Sequence, residues 1–210
     1  MGSDDLHKKR RDRSNMDFSR KYAERKTYDN FLIVCEGETE TFYLREVVDA
    51  FGINRKRAKV IPCPDGTDAC SIINYADNIA SCDLHDFDHV YCVFDGTGCG
   101  DLTKAYDLHK SINHSSFHLC ISSPCFEFWV LCHYENSSKP YSNDAETCKS
   151  LQRYIKGYKK PMRGLFELTS DKLPDAISNA RSVSKAVAIT GSTNPSTNLY
   201  NLIEHLLRER

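Results

Sequence analysis

The sequence predicts an α/β protein: a mostly parallel sheet flanked by helices, followed by a helical C-terminal extension. Three observations lead there. Short apolar runs alternate with segments of helical period between residues 30 and 123. Two of the runs, "NFLIVCE" at 30–36 and "HVYCVFD" at 89–95, end in a carboxylate. From Pro124 onward the pattern is helical throughout.

The elements follow in order. "NFLIVCE" is apolar without alternation, which suits a strand covered on both faces. "ETFYLREVVDAFG" sets Phe42, Tyr43, Val47, Val48 and Phe51 on one broad helical stripe and closes on Gly52, a suitable residue just past a helix end. "RAKVIPC" is a second strand, and the turn "PDGTD" leads into a helix over 69–82. The third strand is "HVYCVFD"; the glycine-rich "GTGCG" then leads to a helix over 102–113, and "FHLCISS" is a fourth strand. Helices are expected at 124–135, 144–155 and 172–187 and from Leu199. The polar "ENSSKPYSND" marks a boundary, giving a basic arm at 1–28, an α/β core at 29–135 and a helical extension at 136–210.

Composition narrows the class. The 210 residues carry 28 Lys and Arg against 29 Asp and Glu, so no general basic coat for nucleic acid exists. The charge is uneven, however: "KKRRDRSNMDFSRKYAERK" at 8–26 is strongly basic and nearly free of aliphatic side chains. Arg10, Arg11 and Arg13 there are candidate phosphate contacts, the alternative being a solubilising tail. No run approaches the length of a membrane span and no signal-peptide core is present, so a soluble cytoplasmic protein without membrane contact is expected. Ten cysteines occur without a Cys-x-x-Cys pair, and Cys35, Cys92, Cys120 and Cys132 fall within apolar runs, as small core residues do.

The chemistry lies where strands end. In open parallel sheets ligands bind outside the carboxyl ends of the strands, and Glu36 and Asp95 each sit at such an end. Convergent acids of this kind suit Mg²⁺ or Mn²⁺ rather than zinc. Glu127, in "SSPCFEFWVLCHY", is an acid on a helix that is apolar almost all round and needs a partner, a cation or a raised pKa. That helix is expected to start with Ser123 as N-cap and Pro124 at its first position. Glu38 and Glu40 suit either metal binding or the positive end of a helix, and His133 a satisfied core histidine. Lys159 and Lys160, in "GYKKP", are either phosphate contacts or a solvated turn.

Taken in order, "LIVCEGETE", "VYCVFD", "SSPCFEFWVLCHY" and "NPSTN" resemble the RloB-like proteins, a bacterial and archaeal family with a Toprim fold, from about residue 30 to the end. The resemblance implies a Toprim-like (Rossmann-like) core, a metal-dependent nuclease acting on DNA or RNA, and a role in anti-phage defence or abortive infection. It also implies a neighbouring ATPase partner of the RloA type, with a homodimer as a further expectation. Toprim domains use a glutamate after strand 1 as acid/base or ligand and a D-x-D after strand 3 for metal. Carried over, Glu36 and Asp95 are catalytic and metal-binding, with Glu127 supporting the site. The chain departs from the pattern at Asp95-Gly96-Thr97, where threonine replaces the second aspartate, and Asp101 is the candidate to replace it as a ligand. This departure motivates the alternative of a degenerate Toprim-like subunit that binds nucleic acid or a partner without cutting. A methyltransferase or dinucleotide-binding enzyme fits neither glycine register. "NPSTN" reads mainly as the cap of the last helix.

Overall fold

The structure, a computed structural model, describes residues 28–64, 68–82, 87–96 and 102–210. Arg10, Arg11, Arg13, Thr97 and Asp101 lie outside the described residues. Five strands form one sheet: β1 (Phe31–Cys35), β2 (Ala58–Pro62), β3 (His89–Asp95), β4 (Phe117–Ser123) and β5 (Ser196–Thr197), in the order β2-β1-β3-β4-β5. The first three pairings are parallel and β4 with β5 is antiparallel, so the fold is Rossmann-like. The helices are α1 (Glu38–Ala50), α2 (Ala69–Cys82), α3 (Leu102–Ser111), α4 (Glu127–Leu131), α5 (Asp144–Leu151), α6 (Leu165–Thr169), α7 (Leu173–Ile189) and α8 (Leu199–Arg208).

The unbroken apolar character of β1 has the expected cause: both its faces are covered. Phe31, Ile33 and Cys35 pack with Tyr43, Leu44 and Val47 of α1, while Leu32 and Val34 pack with Ile72, Ile73 and Ala76 of α2 on the other face. Each such aliphatic or aromatic side chain contributes about 1.5–3 kcal/mol on burial. The α1 face also takes Trp129 and Leu131 of α4, Ala176 and Ala180 of α7, and Leu202 and Leu206 of α8. Because the chain leaves β1 toward β2 and leaves β3 toward β4, the carboxyl ends of β1 and β3 flank the topological switch point, where open α/β sheets hold ligands. Among the described residues no helix is long and apolar enough to cross a membrane.

Two expected caps are replaced by contacts from elsewhere in the fold. Ser123 does not cap α4: the helix starts at Glu127, its N-cap position is Phe126, and the Phe126 N–H donates to Asp95 Oδ1 at 2.8 Å. A carboxylate from β3 thus does what a local serine was expected to do. Asn198 stands at the N-cap position of α8, but its side chain makes no cap bond. It grips β4 instead, accepting from the Ile121 N–H at 2.7 Å and donating to the Leu119 carbonyl at 2.8 Å. Ser196 and Thr197 extend the sheet as β5 rather than merely leading into the helix. The helix expected over 144–155 stops at Leu151 and continues as turns.

Candidate active site

The strand register brings Glu36 and Asp95 together. Cys35 is level with Val93, and the Glu36 N–H donates to the Val93 carbonyl at 2.8 Å, so the ladder runs one bond beyond β1. Glu36 Oε2 accepts from the Asp95 N–H at 2.8 Å, and Asp95 Oδ1 accepts from Phe126. A chain of two carboxylates and two backbone amides therefore joins β1, β3 and the start of α4. Gly96 allows this closeness: its N–H donates to the Ser122 carbonyl at 2.7 Å, and a Cβ there would stand 3.0 Å from Ser123 Cβ.

Glu40 separates from Glu38. Glu38 is exposed, while Glu40 is 5% exposed and belongs to the buried stripe of α1, three, four and seven residues before Tyr43, Leu44 and Val47. Its carboxylate folds back over Gly37, where any Cβ would stand 2.6 Å from Glu40 Oε2. A side chain at Gly37 would have to displace the Glu40 carboxylate from this position. Burial pushes Glu40 up to about 7; its own N–H and Lys160 oppose the rise, and Glu127 and Glu36 add to it. Asp95 is pushed up to about 9 by burial, then by Glu40 and Glu36, with Lys160 pulling the other way and Glu127 adding a little.

Glu127 is fully buried and held by two groups. Tyr158 donates its hydroxyl to Oε1 at 2.5 Å, and the Lys160 ammonium lies 2.7 Å from Oε2. Burial would lower Lys160, but the Glu127 carboxylate outweighs it and holds the ammonium above its ordinary range. Lys160, read in the sequence as a phosphate contact, thus spends its charge first on Glu127, with 39% of its side chain exposed, while Lys159 is an exposed residue. His133 is buried in the turn that follows α4, with Nδ1 at 3.2 Å from the Trp129 and Val130 carbonyls and Nε2 at 3.3 Å from the Tyr43 hydroxyl. Burial takes it down to about 4, the carbonyls working against that, so it stays neutral at ordinary pH.

The arrangement places Glu36, Glu40, Asp95 and Glu127 near one ammonium, Lys160. Hard oxygen donors with an excess of negative charge are the chemistry that suits a divalent cation such as Mg²⁺ or Mn²⁺, but among the described residues the carboxylate oxygens of Glu36, Glu40 and Asp95 do not all lie within 4.8 Å of one another. Glu127, engaged on both oxygens, positions Lys160 instead.

A second potential ligand group lies at the opposite edge of the sheet. One ligand atom each from Asp29, His89 and His205 lies within 4.8 Å of the others, a grouping that could hold a metal ion. None of the three belongs to a sequence motif or to the carboxyl end of a strand, so the sequence does not single them out. The available signals were faint: His89 opens β3, and His205 borders the apolar stripe of α8.

Fold and site together define the class: a Rossmann-like α/β protein with a buried acidic site at its switch point. Within that class the chain belongs to the RloB-like protein family, whose family model matches residues 31–206, as the sequence blocks foretold. No curated protein and no solved structure matches the chain.

Proposed function

We propose that the protein is a divalent-metal-dependent phosphodiesterase of the Toprim type, a cytoplasmic nuclease acting in anti-phage defence beside an RloA-type ATPase. The observation that carries this reading is the convergence of Glu36, Asp95 and Glu40 at the switch point, with Asp95 and Glu40 lifted out of the carboxylate range by burial and mutual repulsion. A bound Mg²⁺ or Mn²⁺ supplies charge stabilisation at the phosphoryl oxygens and lowers the pKa of a water. The protein's own part is orientation. Asp95, fixed by the Phe126 amide, and Glu36, fixed by the Asp95 amide, would hold the metal, and Glu36 would take the proton of the attacking water. Lys160, positioned by Glu127, offers its exposed portion to the phosphate backbone, and Lys159 with Arg10, Arg11 and Arg13 extends that contact.

A second reading, a non-cutting subunit that binds nucleic acid or a partner, is favoured by Thr97 at the place of the second D-x-D acid. One experiment separates the two. Purified protein is given Mn²⁺ and either supercoiled DNA or single-stranded RNA, with and without the ATPase, beside Asp95→Asn and Glu36→Gln. Cleavage that needs Mn²⁺ and is lost in both variants is the expected result. Saturable Mn²⁺ binding that Asp95→Asn removes, without cleavage under any condition, selects the second reading.

A further inference from the structure

At the amino edge of the sheet three segments meet around one carboxylate oxygen. Asp29 precedes β1, His89 opens β3, and His205 lies in the last turn of α8. Asp29 Oδ2 is 3.0 Å from His89 Nε2 and 3.9 Å from His205 Nε2. With metal–nitrogen and metal–oxygen bonds of about 2.1 Å, ligand atoms around a tetrahedral ion stand roughly 3.4 Å apart, and the two observed separations bracket that value.

The three side chains are held in place independently of any ion. Phe31 stacks on the His89 ring at 5.3 Å between centroids and meets the His205 ring edge-on at 4.9 Å. The Tyr91 hydroxyl lies 2.8 Å from His205 Nδ1. When it accepts Nδ1–H it leaves the Nε2 lone pair for a metal, the outer contact that ligating histidines require. The Asp29 main chain is pinned on both sides: its N–H donates to Glu209 Oε2 at 3.1 Å, and its carbonyl accepts from Arg57 Nη2 at 2.9 Å. Arg57 and Glu209 are themselves paired at 2.7 Å. A cavity of about 720 Å³ adjoins the group, lined among others by His89, Tyr91, His118, Asn201, His205 and Arg208.

We propose that Asp29, His89 and His205 form a transition-metal site, separate from the acidic edge, that takes Zn²⁺ or a similar first-row ion through two imidazoles and one carboxylate. Imidazole donors prefer such ions to Mg²⁺, and three protein ligands beside a cavity leave a position for water or a small anion, as open sites do. The proposal does not depend on the nuclease reading, since it shares no residue with it.

The test uses untagged full-length protein stripped with chelator and titrated with Zn²⁺ by calorimetry and with Co²⁺ by visible absorption. One equivalent should bind saturably, unaffected by millimolar Mg²⁺ and retained in Asp95→Asn. His205→Ala and Asp29→Asn should each weaken binding about a hundredfold, and Tyr91→Phe about tenfold. Azide added to the Co²⁺ form should shift its visible bands through the open position. Circular dichroism of each variant separates lost ligation from lost fold, and the Mg²⁺ competition and azide shift are read on the wild type alone. Absence of saturable wild-type binding, displacement of the ion by Mg²⁺, or full binding in His205→Ala overturns the proposal and leaves the trio as a hydrogen-bonded tie between β1, β3 and α8.

Discussion

One strand, β3, begins with His89 and ends with Asp95, and its two ends lie in opposite chemical surroundings about 20 Å apart. At the carboxyl edge the grouped acids are carboxylates, and the Lys160 ammonium faces several of them. At the amino edge two imidazoles stand around the Asp29 carboxylate, and the Asp29 main chain is tied down by hydrogen bonds. The difference follows from parallel architecture. Glu40 sits in the first turn of α1 and Asp95 caps the start of α4, where the helix dipole favours anions. His205 and Arg208 sit in the last turn of α8, where it favours cations. The same strands therefore begin at an imidazole-bearing edge and end at an acidic one, and the way to test that division is to perturb one edge and watch the other.

The largest effect is expected at Asp95. Asp95→Asn keeps the shape and the acceptor for the Phe126 amide but removes the charge, and Mn²⁺-dependent cleavage should fall about 10³-fold. Zn²⁺ affinity at the other edge should not move. A coupled loss of both would break the division and make the sheet a single metal-linked unit.

Next in size is the buried pair. Lys160→Met leaves the fully buried Glu127 without its cationic partner, and denaturant unfolding should show a loss of about 2 kcal/mol. The figure lies below that of a wholly buried pair because the ammonium is partly in water. Adding Glu127→Gln to Lys160→Met should restore part of the loss. If the single variant is as stable as the wild type, the ion pair contributes nothing and Lys160 is free for phosphate.

The pH dependence divides the edges again. Glu40 at about 7 against 4.5, and Asp95 at about 9 against 3.8, bind protons more tightly folded than unfolded. Their contribution is fully present below the unfolded values and is lost as pH rises, through about 7 for Glu40 and then about 9 for Asp95. In chelator, stability should fall across that range, with about 3 kcal/mol of the fall owed to Glu40. Glu40→Gln should flatten the lower limb, and excess Mn²⁺, taking the place of the protons, should remove the slope. A wild-type curve that rises over the same range in chelator would mean that the acids are already paired.

Much of the carboxyl edge was legible because topology repeats itself in sequence: two apolar runs ending in acids point to one place once the strands are neighbours. Glu40 was readable in principle, since its spacing to Tyr43, Leu44 and Val47 puts it on the buried stripe, but an acid in a first turn has a sufficient local explanation. The start of α4 was misjudged because its cap comes from Asp95, a residue distant in sequence. The amino edge was invisible for a related reason. Asp29, His89 and His205 share no motif, and only the docking of α8 brings the third to the other two.

That docking gives the smallest effect and the finest test. Asn198 clamps the β4 backbone at Leu119 and Ile121 and lines the amino-edge cavity, while Ser122 Oγ and Thr197 Oγ1 meet at 2.8 Å beside it. Asn198→Ala leaves two part-buried backbone groups without their partner, which costs about 1 kcal/mol. Hydrogen exchange should therefore quicken severalfold at the Ile121 amide. The Asp95 amide, level with Ser122 on the neighbouring strand β4 but held by Glu36, should keep its protection, because its partner comes from β1 and not from the α8 junction. Equal loss at both amides would show that the α8 junction and the acidic end of β3 open as one cooperative unit.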